Sequence, residues 1–140
     1  MDQNTMRRST ICVVLLFITI PIGLAIRLLP LSLPWLLYKY LGSVLWAIAL
    51  YWFLAAILPK LHPQALATLA IIIATLLELS RLISIAPVDA FRLTFAGQIL
   101  LGRYFSIKNI AAYILAIALT ATLDRTFIAG HGKESRSLRL

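Results

Sequence analysis

Long apolar runs separated by short polar breaks make up most of this chain. A helix that crosses the hydrocarbon core of a bilayer needs about 20 mostly apolar residues at about 1.5 Å rise each. Four stretches meet or approach that length, at residues 11–29, 41–58, 65–85 and 107–123. The first holds Pro21 and Gly23 in its second half. A proline inside a helix lacks the donor and crowds the preceding turn, which predicts a kink there. Between the first two runs lie Trp35, Tyr38, Lys39 and Tyr40, the amphipathic aromatics and lysine of an interfacial belt. The break from Pro59 to Gln64 reads as a hydrophilic turn that reverses the chain.

Before the last run the pattern changes. The apolar part at 93–101 is too short to span and is interrupted by Gly97 and Gln98. Pro87 and Asp89 suit the first turn of a helix, where proline loses no bond and an acid meets the positive dipole end. The expectation is a short interfacial or re-entrant helix over about 88–101, with a fifth crossing as the rival. From Asp124 the chain turns polar and basic, and a mobile tail is expected over 124–140. The fold class is all-α: one membrane domain, residues 1–140, built as a polytopic helical bundle of about four transmembrane helices plus the short one.

Composition strengthens this reading. The chain of 140 residues is 61% hydrophobic and 13% charged, with mean hydropathy +0.94. Soluble domains are about half apolar and about a quarter charged, and a small protein has too little interior to hide the excess. Arg7 and Arg8 before an apolar run resemble a secretory signal, but the run continues to Leu29 with no small-residue cleavage site, so an uncleaved first span is expected. Cys12 excludes an internal disulfide framework.

The net charge is +8, and its basic residues lie between the apolar runs and in the two tails. That placement suits anionic lipid headgroups rather than nucleic acid, which needs a basic face with base-reading groups. Four spans put both termini on one side. The cytoplasmic side then collects Arg7, Arg8, Lys60, Arg125, Lys133, Arg136 and Arg139, against Arg27, Lys39, Arg92, Arg103 and Lys108 opposite. The bias sets both termini inside a bacterial inner membrane.

Glu78 is the most informative residue. It falls about 10 Å below the end of its span by helical rise, too deep for a carboxylate to reach water. An ionised acid at that depth needs a partner, a proton or a wet cavity, and Arg81 lies one turn on along the same face. The pair reads either as a structural tie or as a polar site facing a cavity. Asp89 and Arg92 repeat the acid-x-x-base spacing. The four residues Glu78, Arg81, Asp89 and Arg92 form a candidate cluster near one leaflet, suited to a phosphate or sugar headgroup because arginine holds phosphate bidentately. The alternative role for them is helix capping and interface anchoring. No catalytic motif occurs, and His62, His131 and Cys12 lack metal-ligand spacing, so neither a metal nor a cofactor is expected. In the last run Ala112, Ala116 and Thr120 form a small-residue stripe that would suit a helical protein partner, and Asn109 and Tyr113 share a face that would tie helices together.

The runs E-L-S-R-L at Glu78–Leu82, P-V-D-A-F-R-L-T-F-A-G at Pro87–Gly97 and L-L-G-R-Y-F at Leu100–Phe105, with G-S-V-L-W-A at Gly42–Ala47, resemble a family of small bacterial membrane proteins known only as domain of unknown function DUF2809. More distantly, the acid spacing is similar to that of the VanZ-like envelope proteins. Arg81 stands where glutamine is common in the first family and Asn109 where aspartate is common, which weakens a proton relay. The resemblance implies a fold and a location but no activity. The leading expectation is a non-enzymatic cell-envelope protein that binds lipid headgroups or a partner. The alternatives are a small transporter or an enzyme on lipid-linked substrates centred on Glu78, and a helper subunit of a larger membrane complex.

Overall fold

A computed structural model describes residues 3–30, 32, 34–102 and 104–129, which are helical almost throughout. The helices are α1 (Gln3–Leu28), α2 (Trp35–Ile57), α3 (Pro63–Leu79), α4 (Ala86–Leu93), α5 (Phe95–Leu100) and α6 (Ile107–Leu123). A single 3-10 turn, Ser80–Leu82, extends α3, and a π-helical segment, Asp124–Ala129, extends α6. With these extensions four helices are long and apolar enough to cross a membrane: Gln3–Leu28, Trp35–Ile57, Pro63–Leu82 and Ile107–Ile128.

Local chemistry sets several boundaries. Pro63 occupies the first turn of α3, and the His62 ring accepts the Gln64 N–H at 3.3 Å. α1 runs through Pro21 without ending. Trp35, Tyr38, Lys39 and Tyr40 stand on the first turns of α2 rather than in a connection, since Pro34 precedes the helix in extended backbone. Trp35 and Tyr38 remain exposed, and the Lys39 ammonium lies 4.9 Å over the Trp35 ring. This is the aromatic girdle expected at a membrane surface.

The segment before α6 is two short helices, not one. Thr94 turns to extended backbone, accepts the Gly97 N–H at 3.1 Å and so starts α5 as its N-cap. A Cβ on Gly97 would run into the Phe91 carbonyl, so only glycine permits this corner. Neither helix has the length to cross a bilayer.

α2 packs against α1, α3 and α6, and α3 packs against α6. Their shared core is built on small residues: Ala47 and Ala55 of α2, Ala70 and Ala74 of α3, Ala116 and Ala121 of α6. Small side chains let helix backbones approach where no hydrophobic effect drives them together. The outer faces are apolar and open, as at Phe17, Leu76, Leu115 and Leu119. This is the inside-out distribution that a lipid solvent demands. α1 buries least, with only Cys12 and Thr19 enclosed.

Candidate functional site

Glu78 is fully buried at the end of α3, and its carboxylate meets the start of α6. Oε1 accepts the Ser106 backbone N–H at 2.9 Å and the Asn109 amide at 3.2 Å. Oε2 accepts the Tyr113 hydroxyl at 2.8 Å and pairs with the Arg81 guanidinium at 2.6 Å. Ser106 is the N-cap of α6, yet its side chain caps nothing. Glu78 therefore does from α3 what the glutamate of a capping box does within one helix, satisfying an orphan donor and facing the positive dipole end. The buried charge is offset by an ion pair, three donors and a helix terminus together.

Arg81 is held as firmly. Its Nε donates to the Leu101 carbonyl and its Nη1 to the Tyr104 carbonyl. Gly102, at φ +68°, lies so close beneath it that a Cβ would come within 2.6 Å of Nη2. The connection between α5 and α6 is thus moulded over the Glu78–Arg81 pair.

Asp89 and Arg92 also pair, at 2.9 Å, but in a different setting. The buried Arg92 guanidinium donates to the Ser80 carbonyl at 2.7 Å and to the Ile83 carbonyl at 3.3 Å. Ser84 donates to Asp89 at 2.6 Å. That hydroxyl, and after it Arg92, hold the Asp89 carboxyl below the ordinary carboxylate range, against an opposing effect of burial. Arg92 fastens the corner between α3 and α4. Of the four residues singled out in the sequence, Arg81 alone lines the polar cleft described next.

This half-open cleft, of about 540 Å³, lies between the C-terminal end of α1, the start of α2, α5 and the start of α6. Its cations are Arg27, Lys39 and Arg81, and its neutral polar groups include Ser43, Gln98, Asn109 and Tyr113. Glu78 stands behind this wall and fixes Arg81, Asn109 and Tyr113 in place. Arg27 is different. Among the described residues its guanidinium has no hydrogen-bond or ion-pair partner, and it rests against Gly42, where a Cβ would lie 3.2 Å from Nε. Three cations against one carboxylate leave the cleft positive.

A second buried carboxylate lies at the other end of the bundle. Asp124, placed by the sequence pattern at the start of a polar tail, is fully buried. Its Oδ2 takes the Arg8 guanidinium and the Tyr51 hydroxyl, each at 2.6 Å, while Oδ1 has no partner. Arg8 also donates to the Pro59 and Leu61 carbonyls at 2.7 Å, which ties α1 to the turn after α2. The helix continues past the buried Asp124, with Ile128 packed against the core and Arg125, Thr126 and Phe127 exposed; residues 130–140 lie outside the described residues.

The stripe of Ala112, Ala116 and Thr120 faces inward. Ala116 and Thr120 are buried in the bundle and Ala112 is half-buried, so the close approach it provides is to helices of this chain.

A family model described as "Protein of unknown function (DUF2809)" matches residues 32–117, which includes α2 to most of α6. Of the two resemblances noted in the sequence, this match carries the first. No solved structure matches the chain.

Proposed function

The chain belongs to the DUF2809 family of unknown function, and we propose that it is a non-enzymatic multi-pass membrane protein that binds an anionic headgroup in the cleft at one leaflet. Arg27 carries the reading. An unpartnered guanidinium beside Lys39 and Arg81, in a cleft that holds an excess of positive charge, is a seat for an anion.

Glu78 supports binding over proton transport or acid-base chemistry. Both of its oxygens are engaged, by four donors in all, and one donor is a guanidinium. With both oxygens taken up in this way, the carboxylate has no free lone pair facing the cleft. Its work is to hold the cleft wall. Of the cluster read from the sequence, Glu78 and Arg81 then shape the site, while Asp89 and Arg92 brace the corner beside it.

On this reading the cleft end lies at the outer face of the membrane, an orientation supported by the charge bias of the sequence. In this orientation Arg7, Arg8, Lys60 and Arg125, at the Asp124 end, face the cytoplasm.

The test is lipid retention by native mass spectrometry, from micelles with equal phosphatidic acid and phosphatidylcholine. Wild type should keep phosphatidic acid selectively, and Arg27→Gln with Lys39→Gln should lower that selectivity about tenfold, the effect of about 1.4 kcal/mol. Lys60→Gln, at the other end, should behave as wild type. Equal retention of both lipids by wild type would sink the proposal.

A further inference from the structure

The polar cleft opens into an apolar groove. This groove, of about 80 Å³, runs between α1 and α2 and is lined by Thr19, Ile20, Gly23, Leu24, Leu45 and Ala49. Arg27, Gly42, Trp46 and Ile99 border groove and cleft alike, so the two spaces are continuous. Thr19 does not make the groove polar, because its hydroxyl donates to the Leu15 carbonyl at 2.7 Å.

Glycine creates the space. Gly23 faces α2 with nothing beyond its backbone, and a Cβ there would already touch Leu45 at 3.7 Å. Gly42 gives the Arg27 guanidinium its resting place at the junction. Thr19 precedes Arg27 by eight residues, so along the helix the groove reaches about 12 Å deeper than the guanidinium. Charge at the surface and an apolar channel directly beneath it match the order of groups in a phospholipid.

We infer that the ligand is an anionic phospholipid taken from the surrounding bilayer, its phosphate against Arg27 and the first carbons of one acyl chain in the α1–α2 groove. This rests on the headgroup reading above and adds the class of ligand and the path of its chain. Ile20 is lipid-exposed, so the remainder of the chain can stay in the bilayer alongside α1. Ile99 of α5 borders the junction from the other side. The two parts of the site make separate demands, phosphate for the cleft and a slim chain for the groove.

The experiment uses the full chain in maltoside micelles with phosphatidic acids carrying dihexanoyl, dioctanoyl or didecanoyl chains. Wild type should bind more tightly as chains lengthen. Gly23→Leu, which fills the groove, should lower dioctanoyl affinity at least tenfold while leaving sn-glycerol 3-phosphate, used as a competitor of the headgroup, as effective as before. Should Gly23→Leu fail to fold, wild type is irradiated with a phosphatidic acid bearing a diazirine near the top of one chain. Labels at residues 19–24 or 45–49 support the groove. Labels only on the outer faces of α3 and α6, or a Gly23→Leu protein that binds every chain length as wild type does, would overturn it while leaving headgroup binding intact. Absence of preference for phosphatidic acid over phosphatidylcholine would instead remove the headgroup reading, and this one with it.

Discussion

Arg8 and Asp124, 116 positions apart, form an ion pair of 2.6 Å at the end of the bundle remote from the cleft. The carboxylate is fully enclosed, so its charge depends on this guanidinium and on Tyr51. Removing one member of a buried pair leaves the other uncompensated, a loss of about 3–5 kcal/mol. Arg8→Ala and Asp124→Ala should each lower thermal stability in detergent by that order. The double variant Arg8→Met with Asp124→Leu should recover most of it; a double variant as unstable as the singles would show that packing, not charge, is what matters there.

Tyr113→Phe removes one hydroxyl from the Glu78 carboxylate and leaves its other three partners. Hydrogen bonds to charged groups contribute about 1.5–3 kcal/mol. The variant should lose that much stability, and Glu78→Ala, which strips the α6 N-terminus of its acceptor, should lose more. Denaturant titration of the micelle-bound protein measures both.

Gly97 and Gly102 should resist substitution to different degrees. At Gly102 an alanine must adopt positive φ and displace Arg81, a cost above about 1 kcal/mol. At Gly97 the obstacle is the Phe91 backbone, which cannot swing aside as a side chain can. Melting temperatures should fall further for Gly97→Ala than for Gly102→Ala.

The Asp89 carboxyl, held below its ordinary value of 3.8 chiefly by Ser84, makes the α3–α4 corner acid-sensitive. A depressed folded value means the unfolded chain takes up the proton first. The contribution is complete above 3.8 and is lost as pH falls through the lower folded value. Ser84→Ala should raise the folded value, so the contribution shrinks and is fully lost at a higher pH, as carbon NMR of Asp89 would record.

Single cysteines at Lys60 and Tyr38, both exposed, should react with an impermeant maleimide from opposite sides of oriented vesicles. The proposed orientation puts Lys60→Cys on the cytoplasmic side. Labelling of both from one face would contradict four crossings.

The four long helices were legible because apolar runs of membrane length leave few other options. Glu78 also announced itself, since an acid at that depth needs an explanation. The family resemblance, carried by short motifs, pointed to the same chain segments that the family model matches. Its partners were half legible: Arg81 and the face shared by Asn109 and Tyr113 follow from helical spacing, whereas the Ser106 N–H, a backbone group, leaves no trace in residue type. Asp124 was misread as the start of a tail because acids beside basic residues usually are. Its pairing with Arg8 joins the two ends of the chain, and no local pattern encodes such a contact. In the sequence Arg27 was one basic residue among those on the side opposite the cytoplasm, and only the neighbouring Gly42, Lys39 and cleft give it a different meaning.

α6 supplies partners to both ends of the bundle: Asn109 and Tyr113 for Glu78, and, just beyond its last turn, Asp124 for Arg8. It is also the last of the long helices to leave the ribosome. Until it docks, Arg8 has only the Pro59 and Leu61 carbonyls and Glu78 has only Arg81 among their partners. Both buried carboxylate networks are therefore completed only when this helix docks. A nascent chain stalled before that point would display two polar groups within the membrane, the kind of mark by which membrane quality control distinguishes unfinished proteins from finished ones.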